Sequence, residues 1–190
     1  MRRATRVSLW ASVIVSAVVA TSALAQSPVI DNDRVTVWDV APGAAPRVAG
    51  DRVWVSLSHP GEAAFNPDAS AMSGRGVLIA LTDRRVAPLP NRSPYPLAFP
   101  RAGVKKIFEN DRVILWDYSW TLGHPTVMHF HDKDVVVVYL TDSVVDSIAP
   151  DGQRTANENP AGTIRFNARS RVHSEEMRRG HARALITELK

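Results

Sequence analysis

The chain has 190 residues, of which 23 are basic, 19 acidic and none cysteine. Without a thiol it has no cysteine nucleophile, thiolate ligand or disulfide, so stability must come from the core, a metal or a partner. Arg2, Arg3 and Arg6 lie together near the N-terminus, and the remaining 20 basic residues nearly balance the 19 acidic ones, which gives no reason to expect nucleic acid or an anionic membrane as partner.

Residues 1–25 read as a secretory signal peptide. The three arginines form its positive region, residues 7–20 its apolar run, and Ala23-Leu24-Ala25 the small residues expected before cleavage at Gln26. The apolar run is shorter than the about 20 residues of a spanning helix. No stable membrane anchor is therefore expected, and the mature chain is expected to be exported, periplasmic or secreted.

The mature sequence is rich in short Val, Ile, Leu, Trp and Tyr runs between turn clusters, with no long helical period. Strands are predicted at 34–40, 52–58, 77–82, 105–118, 126–131, 135–141, 143–148, 163–167, 171–177 and 182–188. Residues 58–74, with Ser, Ala, Gly and Pro, are expected to form a long loop. Pro88, Pro90, Pro94, Pro96 and Pro100 mark an extended connector over 84–103, because proline lacks a backbone donor. Asp151-Gly152, Asn159-Pro160 and Arg179-Gly180 mark turns. Strands at this spacing imply a sandwich or barrel.

An internal repeat divides the chain. Residues 31–40 match residues 109–118 at six of ten positions, sharing Asn-Asp-Arg-Val-x-x-Trp-Asp, and both copies are followed by a Leu-Thr-Asp at 81–83 and 140–142. The offset of 78 residues suits a duplicated small β-unit. The expected divisions are 28–83 for a degenerate unit or strand extension, 84–103 for the connector and 104–190 for the unit that carries chemistry.

The chemistry centres on His129, His131 and His173. His129 and His131 are two apart on a strand-like segment, so both imidazoles project from one face. His173 adds a third on another strand. Gly123 followed by five residues and His129-Phe130-His131 resembles the opening of the first cupin motif. Gly162 followed eleven positions later by His173 is similar to the frame of the second. The resemblance covers residues 104–190, and reaches the first copy only through the repeat. It implies an all-β, cupin-type barrel (a double-stranded β-helix, or jelly roll), with a divalent Fe, Mn, Ni, Cu or Zn ion held by the three histidines.

The sequence departs from the family where a Glu usually follows the second His by four or five positions; Val135 and Val136 stand there. Asp134 is the nearest carboxylate. It reaches the inner face only through a bulge, and strand parity otherwise turns it outward. Ala168-Arg169-Ser170 replaces the second motif's Pro-x-Gly. Glu175 shares the parity of His173 and is the candidate catalytic group, either orienting an imidazole or moving a proton, with a plain rim carboxylate as the alternative. Arg165, Arg169 and Arg171 cluster near the third histidine and suit an anionic ligand or a solvated strand face. His59, His124 and His181 have no partner at ligand spacing.

Two functional classes follow. Resemblance to cupins allows a small-molecule metalloenzyme, such as a dioxygenase, isomerase, epimerase or decarboxylase. The alternative is a non-catalytic cupin that binds a ligand or a structural metal. The first copy has no His-x-His and is expected to be metal-free. A small-molecule ligand is the expected partner, and exposed β edges are compatible with a homodimer.

Overall fold

The structure is a computed structural model that describes residues 26–190, so the segment predicted to be a signal peptide lies outside the described residues. In chain order the strands are β1 (Ile30–Asp31), β2 (Val35–Val40), β3 (Arg52–Ser56), β4 (Ala63–Phe65), β5 (Gly76–Leu81), β6 (Val104–Glu109) and β7 (Val113–Ser119). They continue with β8 (His129–Phe130), β9 (Val135–Tyr139), β10 (Ser143–Ile148), β11 (Arg154–Asn159), β12 (Ile164–Asn167), β13 (Val172–Gly180) and β14 (Arg183–Leu189). The fold is all-β, with one short 3-10 turn at Ala69–Ala71 among the described residues.

Three sheets are stacked. The N-terminal sheet has the order β1-β2-β5-β3-β4, the middle sheet β12-β9-β14-β7-β6, and the histidine sheet β11-β10-β13-β8. The middle and histidine sheets face each other as the two walls of a barrel. The N-terminal sheet packs on the middle sheet's other face.

Hydrophobic patterning dictates this layering. β9 reads Val-Val-Val-Val-Tyr and is buried throughout. A continuous apolar run, rather than an alternating one, belongs to a strand covered on both faces. Val136 and Val138 join Val35, Val53, Ile79, Leu115 and Leu185 in the core between the N-terminal and middle sheets. Val135, Val137 and Tyr139 turn the other way, into the barrel core with Trp116, Trp120, Val145 and Ile186. A third cluster of Val40, Trp54, Met72 and Leu78 lies on the remaining face of the N-terminal sheet. Gly76 is required there, because a Cβ at that position would lie 2.2 Å from the Trp54 ring.

The N-terminal and middle sheets have the same strand order, β1, β2, β5, β3 and β4 corresponding to β6, β7, β14, β9 and β12. The repeated residues do the same work in each. Asn32 Oδ1 accepts the backbone N–H groups of Arg34 and Val35, and Asn110 Oδ1 accepts those of Arg112 and Val113. These side-chain turns start β2 and β7. The Asn110 turn also splits the predicted 105–118 strand into β6 and β7. Asp39 pairs with Arg75, as Asp117 pairs with Arg183.

The repeated arginines cross between the halves. Arg34 donates to the Lys190 carbonyl and lies 3.6 Å from Asp134, while Arg112 donates to the Thr82 carbonyl and lies 3.5 Å from Asp51. The Leu-Thr-Asp likeness does not correspond structurally. Leu81 ends β5, whose counterpart β14 ends at Leu189, whereas Leu140 follows β9.

Four local expectations need correction. The predicted loop 58–74 contains β4, which pairs with β3 through Val53 opposite Phe65. β11 was not predicted, because Arg154–Asn159 is polar and mostly exposed, and lacks an apolar face to reveal it. Arg179-Gly180 belongs to the end of β13, where Gly180 has a φ of +86° and a Cβ would strike the Asp142 carbonyl at 2.3 Å. Of the predicted strand 126–131, only His129–Phe130 is regular.

The proline-rich connector is also more than a spacer. It runs beside β8, where Ala98 N–H donates to the Phe130 carbonyl and Phe130 N–H donates to the Pro96 carbonyl. Phe99 is buried against Trp116 with ring centroids 5.4 Å apart.

Candidate metal centre

His129 on β8 lies directly opposite His173 on β13, and His131 follows two residues beyond His129. All three are buried, and one ring nitrogen from each lies within 4.8 Å of the others. His131 Nε2 and His173 Nε2 are 3.0 Å apart. Two imidazole nitrogens about 2.1 Å from one ion, at roughly a right angle, stand about 3 Å apart, so this separation fits a shared metal.

The surroundings select the form of the rings that can bind a metal. His129 Nδ1 lies 2.8 Å from the Val127 carbonyl, which can only accept, so Nδ1 carries the proton and Nε2 the lone pair. Arg101 Nη1 approaches that Nε2 at 3.0 Å as a donor. His173 Nδ1 lies 3.1 Å from Ser147 Oγ, which also accepts from Arg171 Nη2 at 2.9 Å. A proton on His173 Nδ1 leaves its Nε2 free. His131 Nδ1 is buried without a hydrogen-bond partner.

Burial also keeps the rings neutral. Desolvation, followed by the Arg101 charge, lowers His129 below its ordinary pKa. Desolvation and then the neighbouring imidazoles of His173 and His129 lower His131 well below it. His173 is held at about 3, chiefly by desolvation, with Arg171 adding to the effect and Glu175 opposing it. Three neutral imidazoles converging on one point are the donor set a first-row divalent ion requires.

The barrel topology decides the architecture. Two facing antiparallel sheets, β12-β9-β14-β7-β6 and β11-β10-β13-β8, enclose three inward-pointing histidines. The C-terminal half is a two-walled antiparallel β-barrel of jelly-roll type. No protein-family profile and no curated protein matches the sequence. Among solved structures, a cupin-domain protein from Bordetella pertussis Tohama I is similar at 20% identity and a TM-score of 0.42, covering 52% of this chain and 98% of that one. The polyketide cyclase RemF from Streptomyces resistomycificus is similar at 19% identity and a TM-score of 0.40, covering 57% of this chain and 80% of that one. An RmlC-like cupin with a double-stranded β-helix fold from Methanocaldococcus jannaschii shows 10% identity and a TM-score of 0.39, covering 57% of this chain and 92% of that one.

Within this barrel, Asp134 is not beside the histidines. It sits immediately before β9 and faces the N-terminal sheet, where Oδ1 accepts the Arg169 backbone N–H at 2.9 Å and Oδ2 lies 3.6 Å from Arg34 Nε. Strand parity prevails, and no bulge brings Asp134 inward. Its role is to hold the turn that leads into β13 and His173. In that turn Ser170 has a φ of +74°, taking the left-handed position for which glycine is favoured.

Glu175 does face the interior. Its Oε2 accepts from Arg101 Nη2 at 3.0 Å and from Trp120 Nε1 at 3.1 Å. Burial pushes its pKa up, but the neighbouring Arg101 guanidinium opposes that effect, and the carboxyl is held at about 2. Glu175 is therefore an ionised carboxylate already engaged by two donors.

His131 and His173 border a cavity of about 80 Å³ between the two barrel sheets, lined in part by Trp120, Val137, Tyr139, Arg165 and Arg171. Arg169 is directed elsewhere, donating to the Ala87 carbonyl on the outside of the barrel. Trp116 points to Glu188, and Met128 and Phe130 are not among the cavity walls. His59, His124 and His181 are exposed and outside the cluster.

Arg101 and Ser147 are the site residues not found by sequence reasoning. Arg101 sits on the connector, stacked 4.3 Å from the Tyr118 ring centroid, with no motif around it. Ser147 could have been found by parity, since it alternates with Val145 on a strand whose inner face lines the cavity.

Proposed function

We propose that this protein is an exported metalloprotein in which His129, His131 and His173 hold a divalent transition metal that acts on a small molecule, as an enzyme of the oxygenase or isomerase type. The observation that carries this reading is the convergence of three neutral imidazoles beside an internal cavity. Export rests on the N-terminal sequence pattern alone. An ion bound at this site supplies Lewis-acid or redox chemistry, and three protein ligands leave coordination positions free.

The chain's own residues have separable tasks. The Val127 carbonyl fixes the tautomer of His129 with its lone pair on Nε2, and Ser147 Oγ holds His173 Nδ1 and so orients that ring. Phe99, Trp120 and Val137 give the cavity part of its apolar wall. Arg101 neutralises Glu175 and brings positive charge to the histidines.

A second reading, a non-catalytic ligand-binding or structural-metal cupin, is favoured by the engagement of Glu175. A carboxylate tied to Arg101 and Trp120 is a poor proton carrier until those donors release it.

Elemental analysis of protein purified without added metal tests the proposal. About one transition ion per chain is expected, with loss of that ion in His131→Ala. Metal-free wild-type protein, or undiminished metal in His131→Ala, would overturn it. In Co-substituted protein, spectral changes on adding small molecules favour open coordination, and an unresponsive spectrum favours the structural-metal reading.

A further inference from the structure

The cavity beside the histidines contains more positive charge than its own side chains balance. Arg101 is paired with Glu175. Asp146, also at the wall, has its Oδ2 committed to Arg154 and Arg178. Arg165 and Arg171, both half-buried, have no carboxylate within 4 Å among the described residues. They are held instead by neutral groups. Arg165 donates through Nε to Asn159 Oδ1 and through Nη2 to the Glu158 carbonyl, and Arg171 donates through Nη1 to Asn167 Oδ1 and through Nη2 to Ser147 Oγ.

These contacts leave Arg165 Nη1 and Arg171 Nε without a hydrogen-bond partner among the described residues. Two guanidinium groups held by neutral partners at the wall of one small cavity lack a carboxylate counter-ion there. That is the electrostatic imbalance an anion relieves, and a guanidinium fork matches an oxyanion geometrically. The same cavity has the apolar faces of Trp120, Val137 and Ile186, which suit a carbon skeleton better than a fully hydrated inorganic ion. Its volume of about 80 Å³ restricts the occupant to a few non-hydrogen atoms.

We infer that this cavity is a binding subsite for a short-chain organic carboxylate, whose oxygens are received by Arg165 and Arg171 while its carbon end lies against Trp120. This names the substrate class of the proposed function and rests on that reading only in assigning the small molecule to this site. Recognition itself uses the arginines and requires no metal.

The test uses the full mature chain after metal removal, titrated calorimetrically at low salt with propionate, propionamide and inorganic phosphate. Propionate is expected to bind saturably and propionamide at least about tenfold more weakly, the scale of a lost charge-assisted contact. Arg165→Gln, which touches none of the histidines, is expected to weaken propionate about tenfold, with Arg165→Lys recovering part of the loss. Saturable binding by the metal-free chain separates this inference from the metal reading, which elemental analysis tests on its own. Circular dichroism of each variant verifies the fold. Equal binding of propionate and propionamide, full propionate affinity in folded Arg165→Gln, or tighter binding of phosphate than propionate would overturn the inference.

Discussion

Replacing Asp134 with Ala separates a structural carboxylate from a metal ligand. The side chains of Arg34 and Asp134 are only 5% and 10% exposed, and Arg34 Nε and Nη1 have no hydrogen-bond partner. Among the described residues Asp134 is the carboxylate that balances Arg34. Two unit charges 3.6 Å apart attract by about 4–5 kcal/mol at an effective dielectric of about 20. Removing one member of a buried pair typically costs about 3–5 kcal/mol, because the other charge stays buried. Loss of the acceptor for Arg169 N–H adds about 1 kcal/mol. The expected total is about 4–6 kcal/mol, measured by urea unfolding of metal-free protein, with metal stoichiometry unchanged in the folded fraction. A double change, Arg34→Met with Asp134→Leu, should recover most of the loss, since it leaves no uncompensated charge. A cost below about 1 kcal/mol for Asp134→Ala would refute the ion-pair argument.

Ser147→Ala should weaken metal binding about 10- to 100-fold in competition with a chelator, while unfolding changes little, because the hydroxyl orients His173 rather than filling the core. Unchanged affinity would remove Ser147 from the site. In metal-free protein the lowered histidine pKa values set a pH dependence: below 6.5 the unfolded chain takes up protons that the folded imidazoles resist. Stability should therefore fall as pH drops from 6.5 toward 4, by up to about 1.4 kcal/mol per pH unit for each imidazole. Below 4.5 the depressed Glu175 acts in the same direction. A denaturation midpoint that rises between pH 7 and pH 5 would contradict this sign. Ser170→Gly should raise stability by about 0.5 kcal/mol, the relief of a left-handed serine less the greater chain entropy of glycine. A lower melting temperature would mean that Ser170 makes a contact outweighing its strain.

The histidine site was legible because its signal is local. His129 and His131 share a face by parity, and the glycine spacings place His173 in the same register. Asp134 was undecided because one bulged residue would reverse its direction, and sequence does not reveal whether a bulge forms. Arg101 was illegible for another reason: it approaches His129 and Glu175 from a connector without strand periodicity. The repeat was legible as Asn-Asp-Arg-Val-x-x-Trp-Asp, but the equivalence of β5 and β14 was not. Those strands retain their partners and burial without retaining a common motif. β11 escaped because its exposed polar residues carry no hydrophobic alternation.

The layer order also explains why one half alone carries the site. A ligand cavity needs two inner faces. The N-terminal sheet has one face committed to the middle sheet through Val35, Val53 and Ile79, and its other face carries the Trp54, Met72 and Leu78 cluster. Among the described residues it has no counterpart of the histidine sheet. Among the described residues only the middle sheet is flanked by sheets on both sides, and the valines of β9 divide between those neighbours residue by residue. The histidine sheet supplies the three imidazoles, while the middle sheet supplies Val137, Tyr139 and Arg165 to the opposite wall. The N-terminal half acts on this site through the Arg34–Asp134 contact, which secures the turn before His173. A mutation at Arg34 should therefore disturb the third histidine's turn despite lying in a different sheet, whereas a change in the Trp54 cluster should leave that turn intact.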